Sequence, residues 1–246
     1  MKQLLAAEWL KMRRSGMIWI AVLVPLFLVV QGVGNFLRYR DTVFAGSTRT
    51  EWEILYEQCM FMYPTMLMPL VITVLIALLA RVENVHGGWK QLLTFPVTRG
   101  QVYVAKLVIA CMLVLLNMAV LSGGTLAGGW ITGAEGQAPY GLLLGRGALA
   151  FVAALPIIAI QFVLSFRFSH IGIPLTLGVG FAAPAIFAAN SEKLWIFYPW
   201  TYPITTFFAP SMERFDKGLL MYGIAVTLFV IIMTFGLREF KNRDMT

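Results

Sequence analysis

Few residues in this chain have a type and spacing that could do chemistry, and those few speak against catalysis. A nucleotide-hydrolysing chain needs a glycine-rich phosphate loop, and no GxxxxGK[ST] occurs. There is no HExxH to set two zinc ligands on one helix face, and no GxSxG to expose a nucleophilic serine. His86 and His170 are the two histidines. A zinc site needs three or four ligands, so these imidazoles read as solvated side chains and no metal site is expected. Cys59 and Cys111 are the two cysteines. Cys111 stands inside an apolar run, which points to buried free thiols rather than a disulfide framework.

Composition sets the class. The 246 residues are 59% hydrophobic and 13% charged, against about 25% charged in an average soluble domain, and mean hydropathy is +0.77. The apolar residues fall in runs of about 20, the length that crosses a hydrocarbon core at about 1.5 Å rise per residue. Backbone groups in lipid must be satisfied within the segment, so these runs are expected to be helices. The reading is an all-α integral membrane protein, a single transmembrane domain over 1–246. Its six spans are Gly16–Leu37, Tyr63–Ala80, Val102–Trp130, Gly145–Phe166, Ile171–Asn190 and Gly218–Leu237. The turn Arg167-Phe168-Ser169-His170 is so short that the fourth and fifth spans are open to being one broken unit.

Charge orients the spans. A net charge of +7 would suggest nucleic acid in a soluble chain. Here the basic residues stand beside apolar runs, which suits an anionic inner leaflet and removes nucleic acid as an expected partner. With the N-terminus inside, twelve Lys and Arg fall in inner segments and seven in outer ones, so both termini are expected in the cytoplasm. Residues 1–15 open on MKQLLAAEWLKMRR, which reads as an amphipathic helix at the inner surface or as an ordinary positively charged flank. No small-residue cleavage site follows, so the first run is expected to be a retained span rather than a signal peptide.

The predicted spans hold no Asp or Glu, the usual coupling sites of proton- or cation-driven transporters. Their deep polar residues are Gln31, Asn35, Asn117 and Gln161. Amides of this kind join helices by hydrogen bonds; Gln31, Asn117 and Gln161 are also candidates for lining a substrate path. Gly124 and Gly128 have the small-xxx-small spacing of a close helix contact. The outer segment 191–217 carries Trp195, Phe197, Tyr198, Trp200, Tyr202, Phe207 and Phe208, interrupted by Pro199, Pro203 and Pro210. Aromatics favour the membrane boundary and proline interrupts helices, so a re-entrant pair of short helices is expected. An exposed loop with an aromatic belt is the alternative.

The inner segment 81–101 is the most informative. Gly87-Gly88 ends one helix, Trp89 to Phe95 has the length of about two turns with Trp89, Leu92 and Leu93 on one side, and Pro96 stops it. A short amphipathic helix held between two spans is a docking knob. The pattern E-x(3–4)-G-[GT]-W-K-x-L-L-x-x-P-[VIL]-[ST]-R, followed by an aliphatic span opening with Lys, resembles the ABC-2-type permeases, most of all the branch associated with lantibiotic immunity and bacitracin export. The matching residues are Glu83, Gly88, Trp89, Lys90, Leu92, Leu93, Pro96, Val97, Thr98, Arg99 and Lys106.

The resemblance implies a permease subunit of the bacterial plasma membrane, paired with a second copy or a sister permease and driven by separate ABC ATPase subunits. No cofactor would be bound by this chain; ATP and Mg would be used by the partner. Glu83, Trp89, Lys90, Leu92, Leu93, Pro96 and Arg99 would form the ATPase-coupling segment. The cargo in that branch is an amphipathic peptide or another lipid-active compound held in membrane lipid. On that reading Gln31, Asn117, Gln161, Glu53, Glu57, Trp200 and Tyr202 are the substrate-path candidates, with Asp41 and Glu51 further outer carboxylates. Leu121-Ser122-Gly123-Gly124-Thr125 matches the signature loop of ABC ATPases in letters only, since it lies in an apolar run without a phosphate loop. The alternative from another class is a non-transporting membrane scaffold or regulatory subunit. A lipid-acting membrane enzyme would need a catalytic pair that the sequence does not offer.

Overall fold

The computed structural model describes residues 2–44, 47–84, 98–168 and 170–242, and among them the chain is helical with no strand. α1 (Lys2–Arg14) turns at Gly16 (φ 76°), a left-handed conformation that glycine adopts freely, into α2 (Met17–Tyr39). α3 (Glu51–Met60) and a π-helical turn, Tyr63–Leu67, lead into α4 (Met68–Asn84). α5 (Arg99–Thr132) starts on a capping box of Thr98 and Gln101 and stops at left-handed Gly133. A second π-helical turn, Gly141–Gly145, opens α6 (Arg146–Arg167). α7 (Gly172–Ala182), α8 (Ala185–Ala189), α9 (Thr201–Phe208) and α10 (Gly218–Asn242) complete the chain.

Among the described residues, five helical stretches are long and apolar enough to cross a membrane: Met17–Tyr39, Glu51–Glu83, Arg99–Thr132, Gly141–Arg167 and Glu213–Asn242. They contain the second, third, fourth and sixth expected spans, and the first from Met17 onward. The expected fifth, Ile171–Asn190, is not one helix. α7 ends at Ala182, and Ala183 and Pro184 separate it from α8, because proline lacks the N–H to continue the ladder and its ring crowds the preceding turn. The helices also run past the expected ends, so that Glu83 belongs to α4 and Glu239 to α10.

One connection is more ordered than its letters suggested, and in a second the burial decides between two readings. Residues 51–60, expected within an outer connection, form α3, whose Thr50 and Glu53 make a reciprocal capping box. Trp52, Leu55 and Cys59 are buried against α2 and α5, and Tyr56 is buried with its hydroxyl on the Phe207 carbonyl. In the aromatic segment, residues 201–207 are all buried, so an exposed loop is excluded there.

The core is built around α6, which packs on α4, α5, α9 and α10 and buries Ala150, Ala153, Ala154, Ile157, Ile158 and Phe162. α2 and Trp52 of α3 lie against α5 at close range. A Cβ added at Gly128 would stand 2.6 Å from Val33 Cγ2, and one at Gly129 would stand 2.1 Å from Trp52 Cζ3. Those glycines are the condition for the approach. The Leu121–Thr125 stretch is interior helix, with the Thr125 hydroxyl donating to the Leu121 carbonyl at 2.8 Å.

Helix ends sort onto two faces. On the first, Arg99 donates to the Lys241 carbonyl at 2.9 Å, Arg167 pairs with Glu239 at 3.3 Å, and α1 packs on the start of α5. On the second, Arg40 pairs with Glu51 at 2.7 Å and donates to the Thr132 carbonyl at 3.2 Å. α6 and α10 therefore run parallel, with their C-terminal ends together on the first face. Ala153, Met221 and Ala225 pack together nearer their N-terminal ends.

Candidate functional site

Four charged side chains meet on the first face. Glu8 and Lys11 stand one turn apart on α1, Glu83 in the last turn of α4, and Lys106 in the second turn of α5. Lys106 Nζ donates to Glu8 Oε2 at 2.7 Å and to Glu83 Oε1 at 2.9 Å. Lys11 Nζ donates to Glu83 Oε1 at 2.7 Å and to Glu8 Oε1 at 3.3 Å. The Glu8, Glu83 and Lys106 side chains are 1%, 2% and 1% exposed, while Lys11 closes the cluster at 36%. Desolvating each charge is costly, and only complementary charge with good hydrogen bonding offsets it. Two ammoniums and two carboxylates, each ammonium bridging both acids, meet that condition. Burial lowers the Lys11 pKa, but the Glu83 hydrogen bond and the Glu8 charge outweigh it and hold the ammonium above its ordinary value.

This cluster fixes one end of the segment singled out for docking. Glu83 faces the cluster rather than the surface, so its carboxylate anchors α4 to α1 and α5. At the other end the capping box holds α5 at Thr98, and Arg99 ties it to the last turn of α10 through the Lys241 carbonyl. Trp89, Lys90, Leu92, Leu93 and Pro96 lie outside the described residues.

The deep amides separate into three environments. Asn117 joins helices: its Nδ2 donates to the Ala21 carbonyl of α2 at 2.8 Å, and its Oδ1 accepts from the Tyr63 hydroxyl at 2.5 Å. Gln161 is fully buried in α6 beside Gly178, where a Cβ would stand 2.7 Å from Gln161 Nε2 and 2.3 Å from Thr73 Oγ1. Close α4–α6–α7 packing thus encloses it. Gln31 is exposed on α2, on the same stripe as Phe27 and Val30.

A family model described as "ABC-2 family transporter protein" matches residues 4–183, well over half of the chain. The chain belongs to this family. No curated protein matches it significantly. The match includes most of α1, the ionic cluster and residues 85–97; the aromatic segment and α10 lie beyond it. The protein is thus the membrane subunit of an ABC transporter, a multi-pass chain, and family membership implies ABC ATPase partners.

In this ABC-2 transporter protein Glu51, Glu53 and Glu57, on the second face, already have partners. The Glu53 carboxylate accepts from the Thr50 N–H at 3.1 Å as a helix cap, and Glu57 pairs with Arg49 at 2.5 Å. Glu51 holds Arg40 and accepts from the Glu135 N–H at 2.7 Å. The aromatics face inward too. Trp200 is buried and stacks on Phe181 at 4.9 Å, and Tyr202 donates to the Ile196 carbonyl at 2.6 Å. These five residues hold the second face together.

Sequence reasoning missed that Glu8 and Lys106 meet. One signal was present: Lys106 sits among Val102, Ala105, Ile109 and Ala110 on a buried face of α5, and a cation there requires a carboxylate from elsewhere.

Proposed function

We propose that this chain is the permease of an ATP-driven exporter in a bacterial plasma membrane, working as a pair of permeases that removes an amphipathic antimicrobial peptide or similar lipid-active compound from the bilayer. One observation carries the mechanical part. Lys106 bridges Glu8 and Glu83, so α1, α4 and α5 move as one body at the point where residues 85–97 leave α4. A push on that segment from an ATPase reaches α4 at Glu83 and α5 at Arg99. Rigid elements with two arrangements then convert it into altered access across the bundle. Trp89, Leu92 and Leu93 supply the apolar docking face, and Lys90 supplies charge.

The same reading has six crossings with both termini in the cytoplasm. α6 and α10 are parallel, so residues 168–217 must carry the chain from the first face back to the second. α7 and α8 together span residues 172–189, about 27 Å at about 1.5 Å per residue, close to a hydrocarbon core of about 30 Å. The break at Pro184 divides this crossing, and α9 with its flanking 3₁₀ turns forms the re-entrant outer layer.

Tolerance of cells to amphipathic peptides tests the cargo. Co-expression of the chain with its ATPase is expected to raise the inhibitory concentration of at least one lantibiotic or bacitracin-like peptide, and Trp89→Asp is expected to abolish the rise. Unchanged tolerance across such peptides would remove the cargo assignment.

A further inference from the structure

On the second face, α3, α8, α9 and the 3₁₀ turn Glu213–Phe215 enclose a cavity of about 400 Å³, within the range of about 300–1,000 Å³ typical of ligand pockets. Its wall is apolar, formed chiefly by Tyr56, Met60, Phe61, Phe207, Phe208 and Phe215. Two polar side chains of the wall are already engaged. The Tyr56 hydroxyl donates to the Phe207 carbonyl at 3.0 Å, and Asn190 Nδ2 donates to the Ile186 carbonyl at 2.8 Å. The interior therefore favours a hydrocarbon chain over a polar molecule.

Charge enters at the rim through Arg49, Glu57 and Arg214. Arg49 and Glu57 neutralise each other in their ion pair. The exposed Arg214 guanidinium lies over the Phe215 ring at 4.9 Å and reaches Met212 Sδ at 3.9 Å. Among the described residues it forms no ion pair with a carboxylate. Lys217 Nζ, tied to the Arg214 carbonyl at 2.7 Å, adds a second cation beside it. Phe61, 66% exposed, stands at the mouth in edge contact with Phe208. An apolar cavity with a cationic lip, opening past an outward-facing aromatic, is complementary to an amphiphile bearing one acidic group.

We propose that this cavity binds the apolar chain of a membrane-borne anionic amphiphile, with the acidic headgroup held at Arg214. Two sources share that chemistry, a resident anionic phospholipid and an anionic lipid-active cargo. The site lies within one chain and stands apart from the transport reading, since it needs neither an ATPase nor a second permease.

The test uses the full chain in nanodiscs with phosphatidylglycerol carrying a diazirine in its acyl chain. Phosphatidylcholine with the same acyl chain is the control. Adducts are expected on residues 56–61 and 207–215, several-fold stronger with phosphatidylglycerol. Arg214→Gln, a change at an exposed side chain, is expected to reduce that labelling to the phosphatidylcholine level. Ser211→Phe, at a half-buried position in the wall, is expected to fill the cavity and remove labelling by both. If Ser211→Phe does not fold, Arg214→Gln decides alone. Equal labelling by the two lipids, or adducts spread evenly over the exposed faces of α2 and α10, would overturn the proposal. In nanodiscs that also carry the ATPase, labelling that is unchanged when ATP is turned over before illumination identifies a resident lipid, and labelling that falls identifies cargo. Absence of an ATPase partner would leave the labelling intact and count against the transport reading alone.

Discussion

Lys106 and Glu83 meet at 2.9 Å where α4 and α5 open toward residues 85–97, and the same ammonium reaches Glu8 of α1 at 2.7 Å. The amphipathic start of the chain is thereby bonded to both helices that flank the docking segment. α1 is packed into the bundle by these bonds and is not a detached surface helix.

Removing one charge from this cluster should cost more than removing a pair. Lys106→Met leaves Glu8 and Glu83 with only Lys11 and is expected to destabilise by about 3–5 kcal/mol, the cost of leaving a buried charge uncompensated. Lys106→Met combined with Glu8→Gln leaves the Lys11–Glu83 pair intact and is expected to recover more than half of the loss. Thermal unfolding in detergent measures both. Equal destabilisation by the single and double variants would show that the charges do not act together.

The contact between α3 and α5 makes a sharper steric prediction. Gly129→Ala places a Cβ against the buried Trp52 ring and is expected to cost about 1–3 kcal/mol through overpacking. Gly123, six residues earlier on α5, has open space at its Cβ position, and Gly123→Ala is expected to be neutral or slightly stabilising. Comparable losses in both variants would remove the packing account.

Much of this architecture was legible, and the limits have physical causes. Long apolar runs located five continuous spans, since backbone satisfaction in lipid leaves the helix as the answer. Gly124 and Gly128 indicated the close contact with α2, and Asn117 joins helices as its residue type suggests. α3 was overlooked because its charges suggested a surface connection, although Thr50-x-x-Glu53 carries the letters of a capping box. Pro184 was readable as a helix breaker, but apolar content alone outweighed it. The Glu8–Lys106 bond, between residues 98 apart in sequence, depends on α1 folding back, which no local pattern encodes. The inward packing of Trp200 and Tyr202 was hidden for the same reason: composition places aromatics near a boundary without saying which way they face.

Side-specific labelling tests the crossing by α7 and α8. In a background of Cys59→Ser and Cys111→Ser, His170→Cys and Glu192→Cys are expected to react with an impermeant maleimide from opposite sides of the membrane. Reaction from the same side would show that 171–190 does not cross.

The outer acids should matter for folding rather than cargo. Glu51 clamps Arg40 and the Glu135 N–H, so Glu51→Gln is expected to lower the unfolding temperature without changing peptide tolerance. The Glu57–Arg49 pair is partly exposed and is worth about 0–1 kcal/mol, so Glu57→Gln should be nearly silent in both assays. A selective loss of peptide tolerance with stability unchanged would restore these acids to the substrate path.

The most direct measurement is purification of the chain from its native membrane in mild detergent, with mass spectrometry and an ATPase assay of what accompanies it. A stoichiometric ABC ATPase, lost on Trp89→Asp, is the result the account predicts. A chain that purifies alone, or with partners that hydrolyse no ATP, would contradict it.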